Sequence, residues 1–189
     1  MSLAAALVAL ALVPPHWDTH VPGGAARQAR VLVVADTTGD ARVQAALRDF
    51  RTRWNLMIAG PELRGAHLPR VRVIRAAAAP PSADVIVVRD DSLATAGVGG
   101  PYRVDGDGHT RLGIVKLRRA TFTWSRCNLR TAVAHEMGHV MGLAHNEAED
   151  PGGAPSVMRP GNGPYHLGCP TWFNAGDRQA LQALYDRAD

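Results

Sequence analysis

Residues 135–145 read His-Glu-Met-Gly-His-Val-Met-Gly-Leu-Ala-His, and most of the chemistry that the chain reveals lies in this stretch. His135 and His139 are four residues apart, so on a helix both imidazoles project from one face and can bind one metal ion. Glycine tolerates a positive φ, so Gly142 can end the helix and turn the chain until His145 reaches the same ion. The stretch therefore predicts a metal site with three histidine ligands.

The ligand set and its neighbour predict which metal is bound and what it does. Three neutral imidazoles leave Zn²⁺ with its full charge and an open fourth position, which is typical of catalytic zinc sites. Glu136 is adjacent to the first ligand, and its expected role is general base toward a zinc-activated water. Zinc also polarises a carbonyl oxygen and stabilises the oxyanion that develops on it. We therefore predict one catalytic Zn²⁺ and hydrolysis of peptide bonds.

The full pattern, HExxHxxGxxH, resembles the metzincin clan of zinc endopeptidases. That clan also has a methionine-containing turn below the metal. The stretch Ser156-Val157-Met158-Arg159-Pro160 resembles this Met-turn, in which Met158 would form a soft apolar floor. The position of the proline, two residues after the methionine, resembles the matrixin branch. The chain also resembles the small bacterial secreted metzincins. The resemblance covers about residues 31–187, but its specific motifs lie within residues 135–160.

The resemblance and the apolar pattern together predict one α+β (mixed α/β) domain over residues 31–189. Its expected parts are a twisted mixed sheet, a backing helix, an active-site helix, the Met-turn and a C-terminal helix. Strands are predicted at 31–34, 71–74 (half-exposed), 85–88 (central), and in a hairpin of 102–105 with 112–117, whereas 97–101 is expected to break the chain. Helices are predicted from Thr38 or Asp40 to about Met57, from about Leu129 (capped by Asn128) to Gly142, and over about 175–187.

The N-terminal segment has a different composition. Residues 3–13 form an apolar run of 11 residues, shorter than the roughly 18 that a membrane-spanning helix needs. Such a run is typical of a signal peptide, although no Lys or Arg precedes it. We predict that residues 1–30 are a signal peptide and a flexible lead-in rich in Pro, Gly and Ala. The protein is then secreted; a membrane anchor formed by this segment is the alternative.

The cysteines and the charged residues allow predictions about a disulfide, nucleic-acid binding and calcium binding. Cys127 and Cys169 flank the active-site helix and the Met-turn, and they form one disulfide if the compartment is oxidising; two buried thiols are the alternative. The net charge is +4, and 20 of the 21 basic residues are scattered arginines, which favours a solubilising surface over nucleic-acid binding. The DGDG sequence at 105–108 lacks the later Glu of a calcium loop, so a tight turn is favoured and Ca²⁺ has no support.

The expected partner is a protein or peptide substrate in extended conformation. By the family resemblance, it would pair with an edge strand near the catalytic helix. We expect a monomer that does not bind nucleic acid or insert stably into a membrane. Two other functions stay open at this point: a zinc-binding recognition module without hydrolytic activity, and a basic nucleic-acid binder.

Overall fold

A computed structural model describes residues 15–18, 30–63, 66–149, 153, 155–160 and 172–186. The described strands are β1 His16–Trp17, β2 Val31–Asp36, β3 Arg70–Arg75, β4 Val85–Arg89, β5 Gly97–Val104 and β6 His109–Leu117. The described α-helices are α1 Ala41–Ala59, α2 Arg126–Val140 and α3 Ala175–Asp186, and short 3₁₀ helices cover Pro61–Leu63 and Arg119–Thr123. No described helix has both the length and the hydropathy that a membrane span requires.

The six strands form one mixed sheet. Strands β3, β2, β4 and β6 lie side by side in parallel, and β5 runs antiparallel to β6. Strand β1 pairs in parallel with the first residues of β6. Since β5 already occupies one side of β6, β1 lies on the side that β4 occupies further along. The prediction of a single mixed α/β domain is confirmed, as are the central position of β4 and the hairpin of β5 with β6.

Helix α1 backs the sheet through an apolar stripe. Its buried residues are Val43, Ala46, Leu47, Phe50 and Trp54. Of the two predicted caps, Asp40 begins the helix, because its carboxylate accepts hydrogen bonds from the backbone N–H groups of Arg42 and Val43. Burying each large side chain of this stripe contributes about 1.5–3 kcal/mol, so the stripe anchors the helix to the sheet.

The start of α2 differs from the prediction. The helix begins at Arg126, and its N-cap is Ser125 rather than Asn128. The Ser125 hydroxyl accepts a hydrogen bond from the backbone N–H of Asn128 at 3.1 Å. Serine and asparagine are both good N-caps. Here the Ser125 hydroxyl satisfies the free N–H of Asn128, so the helix starts one turn earlier than the apolar pattern indicates.

The predicted break at residues 97–101 is wrong, because these residues form the first part of β5. The strand lies directly against α2. A Cβ added at Gly99 would lie 2.1 Å from the backbone oxygen of Glu136, and one at Gly97 would lie 2.9 Å from Oε1 of Glu136. Gly99 therefore permits close approach of two backbones, which is a recognised use of glycine within a strand, and Gly97 leaves room for the Glu136 side chain.

The N-terminal lead-in is also more ordered than predicted. His16 and Trp17 form β1, and the Trp17 side chain is fully buried in the core. Residues 15–18 are thus part of the folded domain, because one large indole can bury enough apolar surface to order a short strand. Residues 1–13, for which a signal peptide is predicted, lie outside the described residues.

Candidate metal centre

Helix α2 carries three of the candidate site residues on a buried segment. It packs against both α1 and β5, and its apolar residues Leu129, Val133 and Met137 lie in the core. His135 and Glu136 are also buried, with exposed fractions of 7% and 5%. The helix is therefore enclosed on more sides than an amphipathic surface helix, and its position relative to the sheet is well defined.

The three histidine rings converge. The ring centroids of His135 and His139 are 4.7 Å apart. The centroid of His145 lies 5.3 Å from that of His135 and 4.8 Å from that of His139. The Nε2 atoms of His135 and His139 are 3.2 Å apart. Two nitrogens bound tetrahedrally to zinc are separated by about 3.3 Å, given Zn–N bonds near 2.0–2.1 Å. The donor set therefore fits a zinc ion with three imidazole ligands.

Backbone carbonyls orient the two helical imidazoles. Nδ1 of His135 lies 2.7 Å from the Val157 oxygen, and Nδ1 of His139 lies 2.8 Å from the Leu143 oxygen. A carbonyl only accepts, so each Nδ1 carries the hydrogen and each Nε2 keeps a lone pair for a metal. Burial lowers the pKa of His135 to about 4 and lowers that of His139. Both rings are therefore neutral at pH 7, as metal ligands must be.

His145 reaches the site through the turn that follows α2. Gly142 has φ 92°, a left-handed conformation, and the chain there closes with hydrogen bonds from Gly142 N to His139 O and from Leu143 N to Gly138 O. This is the geometry of a Schellman helix end, which suits glycine. His145 lies beyond it and is exposed.

Glu136 lies beside the three rings and against β5. Its carboxylate accepts a hydrogen bond from the backbone N–H of Gly99, and burial raises its pKa to about 7. Sequence reasoning missed Gly97 and Gly99 as parts of the site. The signal was present, because several glycines inside a strand often mark a place where another backbone approaches closely.

A turn that contains Met158, called the methionine turn below, lies against α2. The Met158 side chain is fully buried, and a Cβ added at Gly138 would lie 2.3 Å from its sulfur. A glycine at position 138 therefore lets the turn approach the helix. The residue before Met158, Val157, provides the carbonyl that orients His135. The turn thus contacts α2 in two ways.

A buried carboxylate holds the methionine turn in place. Asp177, which is 1% exposed, accepts hydrogen bonds from the Ser156 hydroxyl at 2.8 and 2.9 Å and from the Asn146 amide at 2.8 Å. Ser156 Oγ in turn accepts from the Met158 N–H at 2.7 Å. Asn146 directly follows His145. No periodic signal in the sequence indicates this network, since Asn146, Ser156 and Asp177 are 10 to 31 residues apart.

An open cleft of about 630 Å³ lies over the three histidines. It is lined by residues 94–99, which lead into β5, by Trp124, and by the four candidate residues His135, Glu136, His139 and His145. Outside those four, no charged side chain lines the described part of the cleft. Strand β5 pairs with β6 on one side, and in the described residues no strand pairs with its other edge, although the Gly99 N–H already donates to Glu136.

Two further predictions concern groups outside these residues. Asp105 accepts hydrogen bonds from the N–H groups of Asp107 and His109 and pairs with Arg111 at 2.6 Å, so its carboxylate stabilises a turn. Cys127 lies in the first turn of α2. Cys169 lies outside the described residues, so their disulfide stays a prediction.

Comparison with known proteins supports the fold. The chain is similar to the solved structure of archaemetzincin from Methanopyrus kandleri, with a TM-score of 0.56 and 13% identity over 86% of this chain and 99% of that chain. It is also similar to myroilysin, with a TM-score of 0.50 and 12% identity over 92% of each chain. The chain therefore shares its fold with these two structures. No protein-family model matches it, and no curated protein sequence matches it significantly.

Proposed function

We propose that this protein is a zinc-dependent endopeptidase that hydrolyses peptide bonds in proteins. The observation that carries the proposal is the convergence of three imidazoles, from His135, His139 and His145, with the buried carboxylate of Glu136 beside them. The residues fit a zinc ion because two Nε2 atoms are at tetrahedral spacing and their Nδ1 atoms are already satisfied. The metalloprotease-like fold supports the same conclusion.

The chain's own residues divide the work of catalysis. Bound zinc supplies Lewis acidity, which polarises the scissile carbonyl and acidifies a water molecule. Glu136 accepts a proton from the attacking water and later donates it to the leaving amine. The Gly99 N–H fixes the orientation of this carboxylate, and the backbone carbonyls of Val157 and Leu143 keep two of the imidazoles in the metal-binding tautomer.

The substrate is an extended peptide bound along β5. An edge strand offers its unpaired N–H and C=O groups to such a chain, and backbone hydrogen bonds then hold it over the metal. The residues that line the cleft beside β5 are small and uncharged, including Ala94, Ala96 and Val98. The cleft therefore favours uncharged segments of a substrate on this side.

Three finer features complete the proposal. Met158 acts as the floor of a metzincin-type Met-turn, and the proline at 160 places the chain nearest the matrixin or small bacterial secreted branch. The apolar composition of residues 1–13 supports secretion. The protein acts as a monomer on protein substrates, with one catalytic zinc ion and without nucleic acid.

Three measurements on the purified full chain test the proposal. We expect about one zinc per chain, digestion of an unstructured protein such as casein, and loss of digestion when a chelator removes the metal. Glu136→Gln and Glu136→Ala should lower hydrolysis by about 10²–10⁴-fold while zinc stays bound. Zinc binding with no cleavage of a broad peptide library would instead favour the recognition module. Unchanged hydrolysis in Glu136→Ala would contradict the mechanism.

A further inference from the structure

The end of α2 is capped by side chains that come from both ends of the described chain. The last carbonyls of a helix have no donor within the helix and need partners from elsewhere. The indole Nε1–H of Trp17 donates to the Val140 oxygen at 3.0 Å, and the hydroxyl of Tyr185 donates to the Met141 oxygen at 3.1 Å. Both side chains are fully buried, so water does not compete for these carbonyls.

The two caps are also joined to each other. The backbone N–H of Trp17 donates to the hydroxyl oxygen of Tyr185. That hydroxyl therefore both accepts and donates, as a buried hydroxyl should. Burial also raises the pKa of Tyr185, so the phenol keeps the proton with which it binds the Met141 carbonyl. The result is a continuous chain of hydrogen bonds from β1 through α3 to the end of α2.

The same two segments enclose the turn that leads to His145. A Cβ added at Gly142 would lie 2.6 Å from Cδ2 of Leu184 and 2.9 Å from the backbone oxygen of Pro15. Gly142 thus sits between the N-terminal segment and α3, with no room for a side chain. Because His139 precedes this turn and His145 follows it, the enclosure sets how the third imidazole approaches the other two.

We propose that Trp17 and Tyr185 are positioning residues of the metal site, which hold the end of α2 and the Gly142 turn so that His145 meets His135 and His139 around one ion. This inference rests on the proposed zinc site. It assigns a role in that site to residues 15–17, which lie 118 or more positions before the first ligand. Removal of these caps should weaken metal binding more than it weakens the fold.

The chain contains a matched control for a purely structural role. Trp54 is also fully buried, and its Nε1–H donates to a backbone oxygen, that of Pro69, at 2.8 Å. It lies on α1 and caps no part of α2. Trp54→Phe and Trp17→Phe therefore remove the same group and the same kind of hydrogen bond, one on α1, which carries none of the site residues, and one at the end of α2.

The experiment measures zinc affinity by competition with a chromogenic chelator and, separately, the urea midpoint of the metal-free full chain. We expect Trp17→Phe and Trp54→Phe to lower the urea midpoint by similar amounts. Trp17→Phe and Tyr185→Phe should weaken zinc binding about tenfold, as loss of an outer partner of a metal ligand does, whereas Trp54→Phe should change it less than twofold. Tyr185→Phe removes one oxygen only, so it tests the proposal even if Trp17→Phe does not fold.

Several outcomes would overturn the inference. Equal weakening of zinc binding by Trp17→Phe and Trp54→Phe would show a general effect of stability. Wild-type affinity in Tyr185→Phe, or a zinc-loaded protein whose N-terminus lies after Asp18, would show that the caps are dispensable. A wild-type chain that binds zinc but hydrolyses nothing would contradict the proposed endopeptidase and leave this test intact. A wild-type chain without zinc affinity would contradict both.

Discussion

The metal site has two halves that are built in different ways. The helical half consists of His135, Glu136 and His139 on α2, where one turn of helix sets the spacing and core packing sets the orientation. The turn half runs from Gly142 through His145 to Met158, and its described residues form turns and isolated β-bridges rather than a helix or a strand. Its geometry depends on residues far away in the sequence. Both halves contribute to one ligand set, yet only the first is encoded locally.

The difference shows in what orients each ligand. His135 and His139 are held by carbonyls at 2.7 and 2.8 Å, and His135 is buried as well. His145 is exposed, and the chain around it is held indirectly, through the neighbouring Asn146. A helix gives two rigid ligands at low cost in chain entropy, whereas the third depends on a tertiary network. The two halves should therefore respond differently to substitution.

The largest expected effect comes from removing a ligand from each half. Structural zinc sites gain about 10–16 kcal/mol from three or four ligands, or about 4 kcal/mol each, so His139→Ala should weaken zinc binding about a thousandfold. His145→Ala should cost less, about a hundredfold, because ordering an exposed side chain already takes about 1 kcal/mol from its gain. Competition with a chelator measures both. Equal losses, or a larger loss for His145→Ala, would erase the distinction between the halves.

The next effect tests the network of the turn half. Asp177→Ala leaves the Ser156 hydroxyl, the Asn146 amide and the Asn174 N–H without their buried acceptor. Unsatisfied buried donors cost about 1–3 kcal/mol each, so the free energy of unfolding should fall by about 3 kcal/mol or more. Urea unfolding of the metal-free chain measures this change. Asp177→Asn is the control, since it keeps one acceptor oxygen and should lose less.

If Asp177→Ala changed the free energy of unfolding by less than 1 kcal/mol, the turn half would be held by something other than this network. In that case zinc affinity should also be unaffected. The expected result is a roughly tenfold loss of zinc affinity, because the network holds the Val157 carbonyl that orients His135.

A smaller effect tests how closely the helical half packs against β5. Gly99→Ala places a methyl group 2.1 Å from the Glu136 backbone oxygen, so the strand must move away from α2. Overpacking of this kind costs about 1–3 kcal/mol in the free energy of unfolding, and it should also lower hydrolysis because the Gly99 N–H leaves Glu136. Gly106→Ala, where nothing lies within 4 Å of the new methyl, is the matched control. Thermal unfolding and a peptide-cleavage assay compare the two, and a stable, fully active Gly99→Ala chain would contradict the contact.

The smallest expected effect concerns the surface of the turn half. Arg159 and Glu149 form an ion pair at 3.6 Å, with 37% and 54% of their side chains exposed. Exposed pairs contribute about 0–1 kcal/mol, so Arg159→Gln should change the free energy of unfolding by less than about 0.5 kcal/mol and leave zinc affinity unchanged. A larger loss in either measurement would mean that this pair, besides the buried Asp177 network, holds the turn.

Much of the fold and the helical half of the site could be predicted because short-range spacing carries them. The stripe of α1, the central strand β4 and the hairpin of β5 with β6 each follow from periodicity or turn chemistry. The same applies to the shared face of His135 and His139. The start of α2 was misplaced because Ser125 and Asn128 are both good caps, and sequence alone does not rank them.

The residues that sequence reasoning missed share a physical reason. Gly97, Gly99 and Gly138 matter because another chain segment approaches them closely, and that segment is remote in sequence. Asp177 and Trp17 matter because they satisfy polar groups that only tertiary packing buries. A buried side-chain hydrogen bond between residues distant in sequence leaves no periodic pattern, so its partners can be identified only in the folded structure.

The order of residues 135–145 is enough to specify two ligands, a neighbouring carboxylate and a turn, since all of these follow from the geometry of a single helix and one glycine. The approach of the third imidazole is another matter. It depends on β1, α3 and the Ser156–Asp177 contact, which come together only when the hydrophobic core forms. Local bonding geometry sets the two helical ligands, the carboxylate and the turn, whereas burial of apolar surface between distant segments sets the approach of the third imidazole.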